Sequence, residues 1–319
     1  EKIFARMKKM GVIPAGTKMH ATAPLFKPWA QLDPAERKRQ ERLMEVYAAM
    51  LDNMDWNIGR VVDSLKRSGA YDNTVIFFFS DNGPSAAYMD LYPGNADGKW
   101  IEKTFDTTSS KVGQPLSFAG VGPGWASASA APFKLFKMVV TEGGTISPMI
   151  VRGPTVSSGG KINDGFLGVE DILPTIADLT RTQRGNDRNG VPLEPLKGYS
   201  FAPVLQGASQ RARKPDFERG EELFGNKAYR QGRWKISWLP KPYGEERWQL
   251  FDTDADRGET QDLAQQYPQR VADMAARYDQ WAKDNRVMTW DYKYLNEQLF
   301  GYFDWRQRIP RQILNPGQD

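Results

Sequence analysis

The chain has 319 residues, of which 40% are hydrophobic and 26% are charged, an ordinary composition for a globular protein. Its net charge of +4 is too small to indicate nucleic-acid binding, and it contains no run of about 18 apolar residues that would span a membrane. Cysteine is absent, which excludes disulfides and a cysteine nucleophile within these residues, and the single histidine, His20, leaves little for a histidine-rich metal site. Because the sequence begins at Glu1, without an initiator Met or a signal peptide, we expect it to be part of a longer protein.

The first 70 residues predict two helices. A short basic helix over Ile3–Met10 is followed by a proline-punctuated loop that contains His20, which we interpret as a surface or packing residue. Asp33-Pro34-Ala35-Glu36 is a strong helix start, with an N-cap aspartate, proline at the first helical position and glutamate at the third. The helix is predicted to end near Ser68-Gly69. It carries one apolar stripe, formed by Tyr47, Met50, Leu51, Met54, Ile58, Val61, Val62 and Leu65.

The stretch Thr74-Val-Ile-Phe-Phe-Phe-Ser-Asp-Asn-Gly83 predicts a strand that ends in polar residues. Its apolar run, Val75–Phe79, is too short for a helix and has no polar alternation, which is typical of a strand buried on both faces in a parallel sheet covered by helices. Ligands bind beyond the carboxyl ends of such strands, where Asp81 offers a carboxylate and Asn82 an amide oxygen, both suited to Ca²⁺ or Mg²⁺. Asp-Asn-Gly is also typical of a simple turn, so the pattern alone leaves both interpretations open.

The middle of the chain predicts a loop, a turn, a strand and a helix. Residues 84–132 show little periodicity and much Gly, Ser, Ala and Pro, and we interpret them as part of a pocket rim. Glu142-Gly143-Gly144 predicts a turn, and Pro148–Arg152 predicts a second short buried strand. Val169–Leu179 predicts a helix with Asp171 near its cap and proline in its first turn.

The C-terminal part predicts a small antiparallel sheet followed by one helix. Lys227–Arg230 and Trp234–Trp238, separated by Gln-Gly-Arg, predict a hairpin, and Trp248–Phe251 predicts a third strand. An amphipathic helix is marked by Val271, Met274, Tyr278 and Trp281. We expect the aromatic and basic tail from about residue 289 to pack on its own domain or on a subunit rather than to bind nucleic acid.

An ordered set of stretches resembles the sulfatase family, within the alkaline-phosphatase-like superfamily. The resemblance covers about residues 1–285, and its order and spacing are similar to those of bacterial calcium-dependent arylsulfatases of the formylglycine type. No single motif is decisive, but the ordered set is highly specific. The matching stretches are Met44–Met50, Met54–Val62, Asp72–Gly83, Ala131–Lys137, Thr141–Gly144, Val169–Thr175, Arg230–Lys235, Trp248–Asp252, Gly258-Glu259 and Asp262–Ala264.

The resemblance implies both a fold and a chemistry. The implied fold is α/β, an alkaline-phosphatase-like sheet with helices on both faces and with its N-terminal strands missing here, followed by a small α+β subdomain. The implied activity is hydrolysis of a sulfate ester, with a formylglycine hydrate as nucleophile and a Ca²⁺ ion, in preference to Mg²⁺, that holds the sulfate and that nucleophile. Asp81 and Asn82 match the second pair of metal ligands of the family, and Lys137 matches the lysine that contacts the sulfate. A fixed ammonium there would neutralise charge on the sulfuryl oxygens and assist the departure of an alkoxide or phenolate.

The sequence also departs from the family pattern. It contains no Cys/Ser-x-Pro-x-Arg nucleophile motif, and the first aspartate pair and the catalytic histidines of the family belong to N-terminal segments absent here. The family usually has an arginine near the position of Ile146, and this sequence does not. Two oxygen ligands are too few for Ca²⁺, which takes six to eight. We therefore expect the chain by itself to be inactive.

Two alternative functions stay open at the sequence level. One is a phosphate mono- or diester hydrolase of the same superfamily, which would use two Zn²⁺ ions and histidine ligands; the single histidine argues against it. The other is a non-catalytic binding or structural remnant that kept the fold and lost the chemistry. A phosphatase assay would identify the first, and a natural gene that encodes only these residues would support the second.

The predicted organisation has four parts. Residues 1–185 form the C-terminal part of the catalytic α/β domain, 186–220 a linker, 221–288 the small antiparallel-sheet and helix subdomain, and 289–319 the tail. The expected partner is a small sulfated substrate, an aryl or alkyl sulfate ester, and neither nucleic acid nor a membrane span is expected. The compartment stays open between the bacterial periplasm and the cytoplasm. Because strands beside Val75–Phe79 would be missing, we expect the isolated chain to be poorly soluble or molten.

Overall fold

The chain forms two compact units. The structure is a computed structural model that describes residues 2–20, 26–86, 100–157 and 159–288, so the predicted tail 289–319 lies outside the described residues. Among the described residues, unit 1 draws on the ranges 2–57, 82–146 and 218–288, and unit 2 on the ranges 58–81 and 147–217. The four-part division of the sequence stays a prediction. None of the helices in the described ranges combines the length and the apolar character that crossing a bilayer would require.

The two predicted N-terminal helices are present. Helix α1 covers Lys2–Lys9 and helix α2 covers Pro34–Arg67. The predicted cap forms, because the backbone N–H of Glu36 donates to Asp33 Oδ1 at 2.9 Å. Gly69 follows the helix with a φ of +71°, a left-handed conformation that glycine adopts without strain. The apolar stripe of α2 is largely uncovered by the described residues: Leu43 is the buried residue of this helix, whereas Met50 is 65% exposed.

The N-cap of α2 gives a simple test of this helix. We expect Asp33→Ala to lower the free energy of unfolding by about 1 kcal/mol, because the Glu36 N–H would lose its hydrogen-bond acceptor. Asp52→Ala, in the middle of the same helix, is the matched control and should leave stability unchanged or slightly higher, since alanine has the better helix propensity. Urea unfolding of both variants, made in the full-length protein, measures the difference. An equal effect of the two substitutions would contradict the capping role.

Strands β1 (Ile76–Phe79) and β2 (Met149–Arg152) correct two predictions. They pair with each other in antiparallel register, with Phe78 opposite Ile150, and within the described residues they form a two-stranded sheet. The prediction of strands buried on both faces of a parallel, helix-covered sheet was therefore wrong. Phe78 is 40% exposed and Ile150 is 64% exposed, because no described strand or helix covers that face. Side chains alternate along a strand, so Phe77 points to the other face, where its ring meets that of the buried Phe201 edge to face at 6.1 Å.

The rest of unit 2 is built around one buried carboxylate. A 3₁₀ turn over Val169–Asp171 leads into helix α6 (Ile172–Thr180), as predicted apart from the 3₁₀ start. Asp171 is fully buried and accepts hydrogen bonds from the N–H groups of Gly168 (2.8 Å) and Tyr199 (2.7 Å) and from Arg213 Nη2 (2.7 Å). The segment predicted as a linker thus contributes packed residues to this unit. It also contains strands β3 (Asp187–Arg188) and β4 (Val191–Pro192) and helix α7 (Ala202–Leu205).

Three short helices of unit 1 occupy stretches that the sequence predicted as loop or turn. Helix α3 covers Trp100–Thr104 and helix α4 covers Gly122–Ala130, both inside the predicted loop 84–132. Helix α4 consists mainly of glycine, alanine and serine. Trp125 is its one large apolar residue, so no helical period could be read from its sequence, and its buried residues are small ones such as Ala126. The turn predicted at Glu142 is the single-turn helix α5, Glu142–Thr145.

The largest sheet of the described chain lies in unit 1 and is antiparallel. Its strands are β5 (Glu218–Leu223), β6 (Asn226–Gln231), β7 (Trp234–Trp238) and β8 (Trp248–Asp252), in the order β5-β6-β7-β8. The predicted hairpin, third strand and helix are present, and β5 is an additional strand that its charged sequence did not indicate. Helix α8 (Pro268–Asp284) packs on the sheet through one apolar cluster, which contains Tyr229, Ile236, Leu250, Met274 and Tyr278.

Candidate functional site

The three predicted site residues lie at a strand end and in a compact loop. Asp81 and Asn82 follow β1 in a bend; Asp81 is exposed and is the last residue of its segment in unit 2, whereas the half-buried Asn82 begins the next segment, in unit 1. Lys137 lies in unit 1 and is exposed. Within the described residues, neither the Asp81 carboxylate nor the Lys137 ammonium has a hydrogen bond or an ion pair. Both groups are therefore available to a ligand.

Lys137 belongs to a loop of residues 134–146, called here the Lys137 loop. The loop is closed on itself, because the Gly143 N–H donates to the Lys134 carbonyl at 2.9 Å and the Thr141 hydroxyl donates to the same oxygen at 2.6 Å. Its apolar side chains turn inward and form part of a core cluster that includes Leu135, Phe136, Val139 and Val140. Lys137 is the one charged side chain of the loop that is exposed.

Two backbone hydrogen bonds join the Lys137 loop to the segment that follows Asn82. The Lys137 N–H donates to the Pro84 carbonyl, and the Gly83 N–H donates to the Gly144 carbonyl, both at 2.9 Å. The approach is so close that a Cβ atom on Gly83 would lie 1.9 Å from the Gly143 carbonyl oxygen, so only glycine fits there. The structure therefore brings the predicted residues Asn82 and Lys137 together within unit 1, and Asp81 is joined to Asn82 by the peptide bond.

The oxygen donors at the strand end are of the type that a hard cation prefers, but there are too few of them to hold one. Asp81 offers a carboxylate and Asn82 an amide oxygen, and Asn82 Nδ2 donates to the Gly83 carbonyl at 2.9 Å, so the amide is held by its nitrogen. Ca²⁺ prefers such oxygen donors and takes six to eight of them. The described part of the chain contains no cluster of three or more Asp, Glu, His or Cys residues that could hold a metal. Asp81 and Asn82 can therefore form part of a Ca²⁺ shell but cannot hold the ion by themselves.

A buried charge cluster supports the Lys137 loop, and sequence reasoning did not identify it. The cluster consists of Glu142, Arg230, Lys235 and Glu259, all in unit 1. Glu142 Oε1 accepts from Arg230 Nη2 at 2.5 Å and from Lys235 Nζ at 2.7 Å. Lys235 Nζ also lies 3.1 Å from Glu259 Oε1, and Glu259 Oε2 accepts the Glu142 N–H at 2.9 Å. Lys235 thus bridges two buried carboxylates.

The electrostatics of the cluster keep Glu142 ionised. Burial by itself would raise the pKa of Glu142, but Arg230 and Lys235 outweigh that effect and lower the pKa to about 2. Burial would lower the pKa of Lys235, yet Glu142 and Glu259 raise it above its ordinary value. The pKa of Glu259 is raised, chiefly by burial. Lys134, at the start of the Lys137 loop, has its pKa lowered by burial.

The hairpin explains why the two cations of the cluster need an anion. Gln231 pairs with Trp234 across a two-residue turn, so the next pair along the ladder is Arg230 opposite Lys235. Like charges directly opposite each other destabilise a sheet. The cross-strand position of this pair could have been read from a two-residue turn in the sequence, but the carboxylate that neutralises it lies 88 residues before Arg230.

Two surface depressions occur elsewhere in unit 1. One, of about 730 Å³, is lined by residues between Asp106 and Leu116, inside the predicted pocket rim 84–132. The other, of about 430 Å³, lies along α2 between Arg42 and Asn53 and includes Gly113. Asp81, Asn82 and Lys137 line neither depression, so the interpretation of 84–132 as a rim of their pocket stays a prediction.

Comparisons with known proteins identify one family for the chain. The family model described as Sulfatase matches residues 15–182, which is more than half of the chain. An uncharacterized sulfatase of Schizosaccharomyces pombe is 34% identical over 287 residues, which cover 88% of this chain and 51% of that protein. The arylsulfatase of Klebsiella aerogenes is 32% identical over 214 residues, which cover 67% of this chain and 45% of that protein. The chain thus spans about half the length of these curated relatives.

A solved structure shows the same fold. The crystal structure of Ps i-CgsB in complex with k-i-k-neocarrahexaose superposes with a TM-score of 0.55 at 24% identity, over 83% of this chain and 48% of that chain. The likeness agrees with the predicted fold class in its coarse form, an α/β chain with small antiparallel sheets. The family model matches more than half of the chain, and the relative from Schizosaccharomyces pombe is 34% identical over 88% of it, so the chain belongs to the sulfatase family.

Proposed function

We propose that the protein is a sulfuric ester hydrolase that acts on an aryl or alkyl sulfate. One arrangement carries the proposal: the backbone of Lys137 is hydrogen-bonded to Pro84, two residues after Asn82, while its ammonium group has no partner among the described residues. A cation held at a defined place beside hard oxygen donors suits an anionic ester. Membership of the sulfatase family narrows that ester to a sulfate.

Each of the three residues has a role in this proposal. Lys137 would contact the sulfuryl oxygens and offset the negative charge that grows on the leaving oxygen as the S–O bond breaks. Asp81 and Asn82 would supply two oxygen ligands of a Ca²⁺ ion, which takes six to eight. Bound there, the ion would hold the sulfate and the formylglycine hydrate that the family resemblance implies as nucleophile.

The proposal is tested with the full-length protein. Its divalent ions are removed with a chelator, and hydrolysis of an aryl sulfate and of the matching aryl phosphate is measured after addition of Ca²⁺ or Mg²⁺. We expect the aryl sulfate to be hydrolysed, and we expect Ca²⁺ to restore this turnover better than Mg²⁺. Preferred turnover of the phosphate would favour a phosphate ester hydrolase, and turnover of neither ester would favour a non-catalytic protein.

The metal assignment has its own prediction. We expect Asp81→Ala to abolish the Ca²⁺-dependent turnover and to weaken Ca²⁺ binding by more than the roughly 10- to 100-fold that loss of an outer-shell partner costs. Isothermal titration with Ca²⁺ measures the affinity independently of activity. Asp178→Ala, which removes an exposed carboxylate from α6 of the same unit, is the control and should change neither quantity. Retained turnover in the Asp81 variant would contradict the assignment.

A further inference from the structure

Glu142 anchors the Lys137 loop at its C-terminal end. It is 4% exposed, and the ion pairs of its carboxylate with Arg230 and Lys235 tie the loop to strands β6 and β7. The backbone N–H of the same residue donates to Glu259. Among the described ion pairs, Glu142 supplies the only ones that the loop makes. Weaker contacts with the sheet come from Lys134, which donates to Gln249 of β8 at 3.3 Å, and from Asn226 of β6, which donates to the Met138 carbonyl at 3.3 Å. Glu142 is thus the ion-paired anchor of the loop.

Most of the residues between Lys137 and Glu142 are tightly packed. Val139, Val140 and Thr141 are buried, with at most 2% of each exposed. The turn that follows them is equally tight, because a Cβ atom on Gly144 would lie 2.0 Å from the Val139 carbonyl oxygen. Close-packed interiors transmit a displacement rather than absorb it. We therefore expect a shift of the Glu142 backbone to be transmitted through Val139, Val140 and Thr141 towards Lys137.

We propose that Glu142 is a positioning residue for Lys137: its carboxylate, bound by Arg230 and Lys235, holds the Lys137 loop in the conformation that presents the Lys137 ammonium to the substrate. Glu142 does not touch the substrate in this proposal. The inference rests on the proposed function, since that function assigns Lys137 its target. The position of the Lys137 backbone can nevertheless be measured without any turnover, so the two ideas can fail separately.

The first test measures amide hydrogen exchange in the full-length protein. Glu142→Gln keeps the shape of the side chain but removes the charge that binds Arg230 and Lys235. We expect the Lys137 N–H, which donates to Pro84, to exchange about tenfold faster or more in this variant, while the Tyr199 N–H keeps its protection. Asp171→Asn removes a buried, arginine-paired carboxylate of unit 2 and is the matched control. In this control, the Tyr199 N–H should exchange faster, while the Lys137 N–H keeps its protection.

The second test is a double-mutant cycle on kcat. If Glu142 acts through Lys137, Glu142→Gln should lower kcat by about tenfold or more in the wild-type background and by less than about threefold when Lys137 is already alanine. A residue that only stabilises the fold would have the same effect in both backgrounds. Rates are normalised to the folded fraction. Glu142→Asp keeps the charge on a shorter side chain and should recover part of kcat. If Glu142→Gln does not fold, Arg230→Gln, which removes one of the two cations bound to Glu142, replaces it in both tests.

The outcomes separate the positioning role from the proposed function. Faster exchange of the Lys137 amide in the Glu142 variant but not in the Asp171 variant supports positioning, even if the full-length protein hydrolyses no sulfate ester. Equal effects of the two variants on the Lys137 amide overturn it, because Glu142 would then contribute only general stability. Additive losses of kcat in the cycle overturn it as well.

Discussion

Replacing Lys137 by alanine in the full-length protein is expected to lower kcat for an aryl sulfate by about 10²- to 10³-fold, the usual effect of removing one fixed electrostatic contact to a developing charge. The physical reason is the combination of a fixed backbone and an unpaired ammonium. The Lys137 N–H is bonded to Pro84, and within the described residues nothing neutralises the side chain. Steady-state kinetics over a range of substrate concentrations give kcat and KM separately.

Two further variants make this prediction specific to Lys137. Lys161→Ala removes an exposed lysine from unit 2 and should leave kcat unchanged. Lys137→Arg keeps the charge but changes its shape and reach, so it should recover only part of the rate. If Lys137→Ala and Lys161→Ala have the same effect, the ammonium of Lys137 has no special role in the reaction.

The second large effect is expected in the acid stability of the protein. The pKa of Glu142 is about 2 in the folded chain, against an ordinary value of 4.5, so folding favours its ionised form by about 3 kcal/mol. Because this pKa is lowered on folding, the stabilisation is fully present above the unfolded pKa, near pH 4.5, and is lost as the pH falls towards 2. Glu142→Gln should therefore be less stable than wild type by about 3–5 kcal/mol at neutral pH, with a gap that narrows in acid.

Urea unfolding of the full-length protein and of its Glu142→Gln variant, at a series of pH values between about 2 and 7, measures this difference in stability. The pKa of Glu259 is raised by burial, so its effect on the pH dependence has the opposite sign. The difference between wild type and the Glu142 variant therefore isolates Glu142 better than the wild-type curve does. Glu194→Gln, which neutralises an exposed carboxylate, is the control. Its free energy of unfolding should change with pH in the same way as that of wild type. A gap that does not change with pH would mean that the charge of Glu142 is not what stabilises the fold.

The two expected effects share one structural origin. Lys137 and Glu142 lie five residues apart in a loop whose other charged residue, Lys134, is partly buried and donates to Gln249. Lys137 presents an exposed cation, and Glu142 inserts its carboxylate between Arg230 and Lys235 of the hairpin. Stability thus depends on Glu142 and the proposed catalysis on Lys137, two residues of the same loop.

Much of the local structure could be predicted from the sequence because its causes are local. The start of α2 follows from an aspartate, a proline and a glutamate within four residues, and the structure shows the predicted cap. The hairpin of β6 and β7 follows from two short strand-forming runs around a glycine-containing turn, although the turn has two residues rather than the three that we predicted. Helix α4 was not predicted, because its mostly small residues form a helix without a periodic apolar pattern.

The sequence by itself determined the family, the candidate residues Asp81, Asn82 and Lys137, and most helices and strands, because motifs, caps and periodicity reside in neighbouring residues. Only the tertiary structure decided which strand pairs with Ile76–Phe79, which of its faces is covered, and that the Lys137 loop bonds to the segment after Asn82. It also decided that Glu142 neutralises Arg230 and Lys235, which follow it by 88 and 93 residues. A run of apolar residues does not encode its partner strand, and a single glutamate does not encode the cations that will surround it, because both depend on contacts between distant parts of the chain.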